Sequence, residues 1–203
     1  MSAWLQVSFH EYWHLGAGRG GGPGIDATVR RTPAGLPFVP GRTLKGVLRD
    51  AADQAVSLGW IEDRVVEWFG TGLDASGEGD AATRELEQAR FRTQPGCLRV
   101  DSARMGERGQ AEVWERAVVA EPGLTLAFFD ELHQTAMEGG VAQRGSLRTV
   151  EVAVPMTLWA RLDGPDSVWP ELRRCLPLVA GIGSGKRRGL GRVELMLHAE
   201  GGR

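Results

Sequence analysis

The chain has 203 residues, 42% of them hydrophobic and 25% charged, with a formal net charge of -2. That length suits one sizeable core, no apolar run approaches the roughly 20 residues a membrane-spanning helix needs, and near-neutral charge argues against indiscriminate coating of nucleic acid. Cys97 and Cys175 have neither CxxC spacing nor a nearby histidine, so no zinc site and no required disulfide are expected.

Leu5, Val7 and Phe9 alternate with Gln6, Ser8 and His10, which predicts an opening strand with one buried face. The first residues, MSAWLQVSFHEYW, contain no basic segment followed by an uninterrupted apolar one, and a cytoplasmic location is expected. Residues 16–24, GAGRGGGPG, carry six glycines in nine positions and read as a flexible loop that delivers Asp26.

A Pro/Gly turn at Pro40 and Gly41 then opens into a helix whose apolar face is Leu44, Val47, Leu48, Ala51, Ala55 and Leu58. Its first turns carry Arg42, Lys45 and Arg49, although the unpaired N–H groups of a helix start attract anions and repel cations. Lys45 and Arg49, four residues apart, are expected together on the solvent-facing side. A phosphate group bound there would resolve the conflict of charge; a plain solvated basic face is the simpler explanation.

A short helical piece is expected over residues 62–69, a polar Gly-rich loop over 74–80, and a short strand over 98–100 ending at Asp101. Residues 113–120 read as another strand, and the stretch onward to Leu147, with Gly139, Gly140 and Gly145, as an insertion or long hairpin. Val150, Val152 and Val154 alternate, Pro155 interrupts, and Met156, Leu158, Ala160 and Leu162 alternate again, which predicts a bent or edge strand. A helix starting near Pro170 with the stripe Leu172, Cys175, Leu176 and Val179, kinked at Pro177, leads to GIGSGKRRGLGRVEL and a last strand through Val193, Leu195 and Leu197.

In that last motif five glycines interleave with Lys186, Arg187, Arg188 and Arg192, a composition that lets backbone N–H groups and cations approach a phosphodiester. It is not a Walker-type phosphate loop: Ala180 stands where the first glycine is required, and Arg187 stands where Ser or Thr must follow the lysine. Charge is segregated along the chain. Residues 19–49 hold six basic residues and one acid, whereas residues 62–87 hold eight acids and two arginines, so one basic working surface and one acidic face are expected.

HLGAG at residues 14–18, IDATVRR followed by GLPFVPGRTLKGVLR, the LRVD ending at Asp101, SLRTVEVAVP and GSGKRRGLGRV occur in the order of the signature blocks of the RAMP superfamily. The chain resembles in particular the repeated backbone subunit, of the Csm or Cmr kind, of type III CRISPR effector complexes. The likeness runs nearly end to end and carries no motif between residues 104 and 147.

The resemblance implies a single α+β domain over residues 1–203, with a ferredoxin-like (RNA-recognition-motif-like) βαββαβ core and a thumb-like hairpin inserted at about 104–147. It implies a groove for guide crRNA flanked by the two basic motifs, with RNA contacts at His14, Arg42, Thr43, Lys45, Arg49, Lys186, Arg187 and Arg188, the Gly-rich basic loop at 181–193 leading into the last strand. Copies would stack along the guide beside other type III subunits. Asp26 matches the position that carries cleavage of complementary target RNA with Mg²⁺ or another divalent cation. His14 can equally be a loop hydrogen-bonder, and Asp101 is expected to be structural. The rival expectation is a non-catalytic structural RNA-binding subunit of the same complex; a guide-processing member is a third, without a catalytic histidine pair to support it.

Overall fold

The strand β1 (Ser2–Phe9) buries every second side chain, and its neighbours are β7 (Thr157–Asp163) on one side and β8 (Val193–Ala199) on the other, both antiparallel. The short β2 (Arg99–Val100) pairs antiparallel with the outer edge of β7, which gives the order β2-β7-β1-β8. Helix α1 (Gly41–Ser57) connects β1 to β2, and α4 (Val168–Cys175) connects β7 to β8. Two interleaved β-α-β crossings in one antiparallel sheet make the ferredoxin-like βαββαβ core. The computed structural model describes residues 1–18, 20, 24–71 and 94–200. The Gly-rich loop expected at 74–80, the acids Asp74, Glu78, Asp80, Glu85 and Glu87 with Arg84, and Arg19 lie outside the described residues.

Apolar periodicity explains the packing. Leu5, Val7, Leu158, Ala160, Leu162 and Leu195 from the sheet meet Leu44, Leu48, Ala51, Ala52 and Ala55 of α1 and Val168, Leu172 and Cys175 of α4 in one core. The α1 stripe stops at Ala55, because the helix ends at Ser57 and Leu58 is 57% exposed. Pro40 precedes the helix and supplies no side-chain cap. Instead the Gly41 N–H donates to Ser102 Oγ at 3.1 Å, and a Cβ on Gly41 would lie 2.3 Å from the Val100 carbonyl oxygen. The Pro-Gly turn thus exists to seat the helix start directly on the end of β2.

Four expectations change. Residues 113–120 belong to a helix, α3 (Ala111–Ala120), in which Ala111, Glu115 and Val118 form the inward stripe; helix-favouring Ala, Glu and Arg outweigh the valines that suggested a strand. Pro155 ends one strand rather than bending it, so β6 (Arg148–Ala153) and β7 lie in different sheets and β7 is interior to its own. The helix at 62–69 shortens to α2 (Val65–Phe69). Helix α4 starts at Val168, two residues before Pro170, which its first turn tolerates because those N–H groups have no intrahelical partner, and a 3-10 turn over Leu176–Leu178 containing Pro177 ends it.

The insertion has two parts. Its first half is α3 and a 3-10 segment (Pro122–Phe128), and its second is a ribbon of β3 (Phe129–Gln134) paired with β6, tipped by β4 (Met137–Glu138) and β5 (Val141–Ala142). The hairpin therefore returns through Ala153, past the expected boundary at 147.

Replacing Gly41 with Ala is expected to lower stability by about 2 kcal/mol in urea unfolding, because the added methyl meets backbone, and this outweighs the ~1 kcal/mol alanine gains over glycine in a helix. Burial pushes the Cys175 thiol up to about 11, while Cys97 is exposed. A thiol reagent should therefore label Cys97 alone in the native protein and reach Cys175 only after denaturation; equal labelling would contradict this packing.

Candidate nucleic-acid interface

The topology collects three connections at one end of the sheet. β1 ends there at Phe9 opposite Val193, where β8 begins, and β7 begins there with Thr157 opposite Ser8, whereas α1 starts on Val100, which pairs with Leu162 toward the other end. The segment leading to α1, the insertion and the Gly-rich basic loop consequently emerge together, although the sequence scatters them.

Asp26 sits at the edge of the β3–β6 ribbon. Its N–H donates to the Thr149 carbonyl at 2.9 Å, and its Oδ2 accepts the Thr149 N–H at 2.8 Å. Beyond it, Ala27 forms a parallel bridge with Val150, and the Glu151 N–H donates to the Ala27 carbonyl at 2.9 Å. Asp26 is exposed, yet both its backbone and its carboxylate are anchored to β6, which corrects the expectation of a freely moving loop acid. Its Oδ1 makes no hydrogen bond to the described residues.

Glu151 explains why this strip of chain holds its place. The carboxylate is 7% exposed; Oε2 accepts the Val29 N–H at 2.8 Å, and Oε1 pairs with the Arg31 guanidinium, which also lies 3.7 Å over the Phe129 ring. The IDATVRR motif is thus clamped on the ribbon by its own backbone and by Arg31 rather than by apolar packing alone. Neither Thr149 nor Glu151 stood out in the sequence. The signal available was two polar residues alternating with Val150 and Val152 in a strand buried on both faces.

His14 is buried at 6% exposure, with Nδ1 2.7 Å from the Glu151 carbonyl oxygen. Its own carbonyl accepts the Ser184 N–H at 2.9 Å, and a Cβ on Gly183 would come within 2.5 Å of that oxygen. These contacts favour the loop hydrogen-bonder over an RNA contact: His14 fastens the ribbon to the Gly-rich loop.

The loop itself makes a 3-10 turn over Lys186–Arg188 between Gly185 and Gly189, both at positive φ (74° and 81°). All three cations are exposed, and Arg188 donates to Gln134 Oε1 at 3.1 Å. Between this loop and the ribbon lies a cleft of about 690 Å³, lined by Gln134, Thr135, Gln143, Ser146, Arg148 and Arg188 among others. Tyr12 ties loop and ribbon together elsewhere: its carbonyl accepts the Gly191 N–H at 2.7 Å and its hydroxyl donates to Asp130 at 2.8 Å, a bond that raises the phenol pKa and lowers that of the carboxylate.

The cations of α1 divide. Arg42 is exposed and has no partner among the described residues, and Thr43 is half-buried beside it. Lys45 donates from Nζ to the Leu98 carbonyl at 2.8 Å, and Arg49 donates to the Gly70 carbonyl at 3.1 Å with Asp53 at 3.9 Å. Burial lowers the Lys45 pKa, the Cys97 sulfur opposing and Arg49 adding to the effect. Lys45 and Arg49 are therefore not a free solvent-facing pair; they lie against the backbone of the α2–β2 connection. Among the described residues, no hydrogen bond or ion pair joins these cations to the Gly-rich loop. Asp101 is exposed at the end of β2, its N–H on the Arg161 carbonyl at 2.9 Å.

No group of three or more His, Cys, Asp or Glu side chains that could hold a metal occurs among the described residues. A lone carboxylate with one oxygen unengaged does suit Mg²⁺, which keeps several waters and takes further ligands from phosphates. No helix among the described residues is long and apolar enough to cross a membrane.

Comparison with known proteins agrees with this architecture. A type III-B Cmr-beta structure bound to cognate target RNA matches at a TM-score of 0.64 and 11% identity, covering 97% of each chain, and the apo state of Cmr-beta matches equally. A type IV-B CRISPR complex matches at 0.56 and 13% identity, covering 100% of this chain and 92% of the other. No curated protein matches in sequence. At these identities the likeness is one of fold, and the family follows from the RAMP superfamily model, which matches residues 7–194. The chain belongs to the RAMP superfamily.

Proposed function

We propose that this chain is a guide crRNA-binding backbone subunit of a type III CRISPR effector complex and that it cuts complementary target RNA at Asp26. The observation that carries the reading is the position of Asp26: an exposed carboxylate anchored to Thr149 on the edge of the β3–β6 ribbon, which borders the cleft beside the Gly-rich basic loop. The family match and the fold shared with subunits of CRISPR complexes support the RNA-binding role. The exposed cations Arg42, Lys186, Arg187 and Arg188 take guide phosphates, further copies of the chain and other effector subunits extend the assembly, and the ribbon reaches into the guide–target duplex.

Cutting RNA through its own 2'-hydroxyl requires that oxygen in line with the leaving 5'-oxygen, so holding a splayed nucleotide still supplies most of what is needed. Asp26 Oδ1 is the group available to accept the 2'-hydroxyl proton or to hold Mg²⁺. When bound, Mg²⁺ would supply neutralisation of developing charge on the phosphate. Thr149 fixes the carboxylate's direction, so its placement costs no reordering when target arrives.

A structural subunit is the second reading, and one observation favours it: the same hydrogen bond that orients Asp26 gives it an anchoring role without chemistry. Asp26→Asn separates the two, because the amide oxygen can still accept the Thr149 N–H. In the assembled complex with Mg²⁺ and labelled complementary RNA, this variant is expected to bind target normally and lose at least about 100-fold in cleavage rate. Cleavage at the parent rate would leave only the structural subunit.

The basic residues give a separate expectation. Arg42→Ala and Lys186→Ala should each weaken guide binding and reduce its salt slope by about 0.7 for one single-strand phosphate contact, with thermal unfolding unchanged. Lys45→Ala should instead destabilise the fold by about 1–2 kcal/mol, because it leaves the Leu98 carbonyl without its charged donor. Unfolding curves and salt titrations of the three variants check both.

A further inference from the structure

The sequence offered Asp26 no acid–base companion, but the β3–β6 register supplies one. His133 stands directly opposite Thr149 in the ribbon, is exposed, and places Nδ1 3.1 Å from Thr149 Oγ1. Thr149 is buried at 9% exposure, and its backbone N–H is the donor that holds Asp26. One fixed residue therefore positions both side chains: Asp26 at the outer edge of β6 through the backbone, and His133 on β3 through the hydroxyl. The hydrogen bond at Nδ1 orients the ring, and Nε2 makes no hydrogen bond to the described residues. The adjoining cleft carries Arg148 and Arg188, the charge that draws a phosphate in.

The chemistry needs a second group. Attack of the 2'-oxygen on phosphorus forms one P–O bond and breaks the bond to the 5'-oxygen, giving a 2',3'-cyclic phosphate and a 5'-hydroxyl. One proton leaves the 2'-hydroxyl and one arrives at the 5'-oxygen. In-line displacement puts those oxygens on opposite sides of phosphorus, so a single carboxylate does not serve both in one step. Histidine is the side chain best able to give a proton near neutrality.

Building on the Asp26 reading above, we infer that His133 is the general acid of this site, delivering a proton from Nε2 to the leaving 5'-oxygen of the target RNA. A phosphodiester lying across Thr149 has Asp26 on its 2'-oxygen side and His133 on its leaving-group side. The imidazole leaves the step neutral and regains its proton from water.

The test uses the assembled complex and two target RNAs, one ordinary and one with a bridging sulfur in place of the 5'-oxygen at the cut position. A thiolate leaves without being protonated, so the acid becomes dispensable. His133→Ala and His133→Gln, the latter able to keep a bond to Thr149, are expected to slow cutting of the ordinary target by about 100-fold or more and to cut the sulfur target at the parent rate. Equal slowing on both targets would make His133 a structural residue, and parent rates on both would remove it from the site; either overturns the inference. Asp26→Asn is measured alongside. If it cuts both targets at the parent rate, the Asp26 reading fails and takes this one with it; if it is inactive while His133→Ala is unaffected on the ordinary target, only the role of His133 fails.

Discussion

A buried carboxylate organises the working end of this molecule. Glu151 uses both side-chain oxygens to accept the Val29 N–H and the Arg31 guanidinium, and its own carbonyl holds the His14 ring. A carboxylate that far from water is tolerable only when paired, so Val29 and Arg31 are obligatory partners of the side chain, while the backbone carbonyl adds His14. Each belongs to a segment with a separate task. Val29 and Arg31 carry the strip that begins at Asp26, His14 carries the contact to the Gly-rich loop, and Glu151 itself lies on the ribbon. Without that pairing the βαββαβ core would still have its apolar faces, but the loop acid's strip, the basic turn and the hairpin would lose the residue that touches the strip and the His14 link alike.

The core was largely legible in the sequence, because its elements advertise themselves by period. β1 alternates and α1 repeats its leucines and alanines on one face, and the structure buries those positions as far as Ala55. What periodicity could not show was pairing at a distance. Pro155 marked an interruption, yet only the sheet order reveals that the residues on its two sides serve different sheets. The valines of 113–120 carry a strand preference that their helix-forming neighbours override. Asp26 was visible as a lone acid among glycines, whereas Thr149, the residue that fixes it, sits 123 positions away and is unremarkable by composition. His133 was missed for the same reason, since its closeness to Asp26 exists only through the strand register.

The basic residues show where charge counting overreaches. Arg42, Lys45 and Arg49 read as one phosphate-binding stripe, but a long cation near unsatisfied carbonyls can equally complete a fold. Lys45 and Arg49 do so at Leu98 and Gly70, which leaves Arg42 and the turn at Lys186–Arg188 as the charge that faces solvent. A guide strand recognised by so few fixed cations would be gripped through its backbone, independent of sequence, with neighbouring copies adding the rest.

The most direct measurement of the central claim is a structure of the assembled complex with guide and a complementary target carrying a 2'-deoxy nucleotide at the cut position, which stops attack without altering binding. The account predicts a target phosphodiester across Thr149, within hydrogen-bond reach of Asp26 (about 2.6–3.2 Å, or one water further), and guide phosphates against Arg42 and the turn at Lys186–Arg188. A target strand that passes elsewhere, with Asp26 facing the guide or solvent, would contradict it.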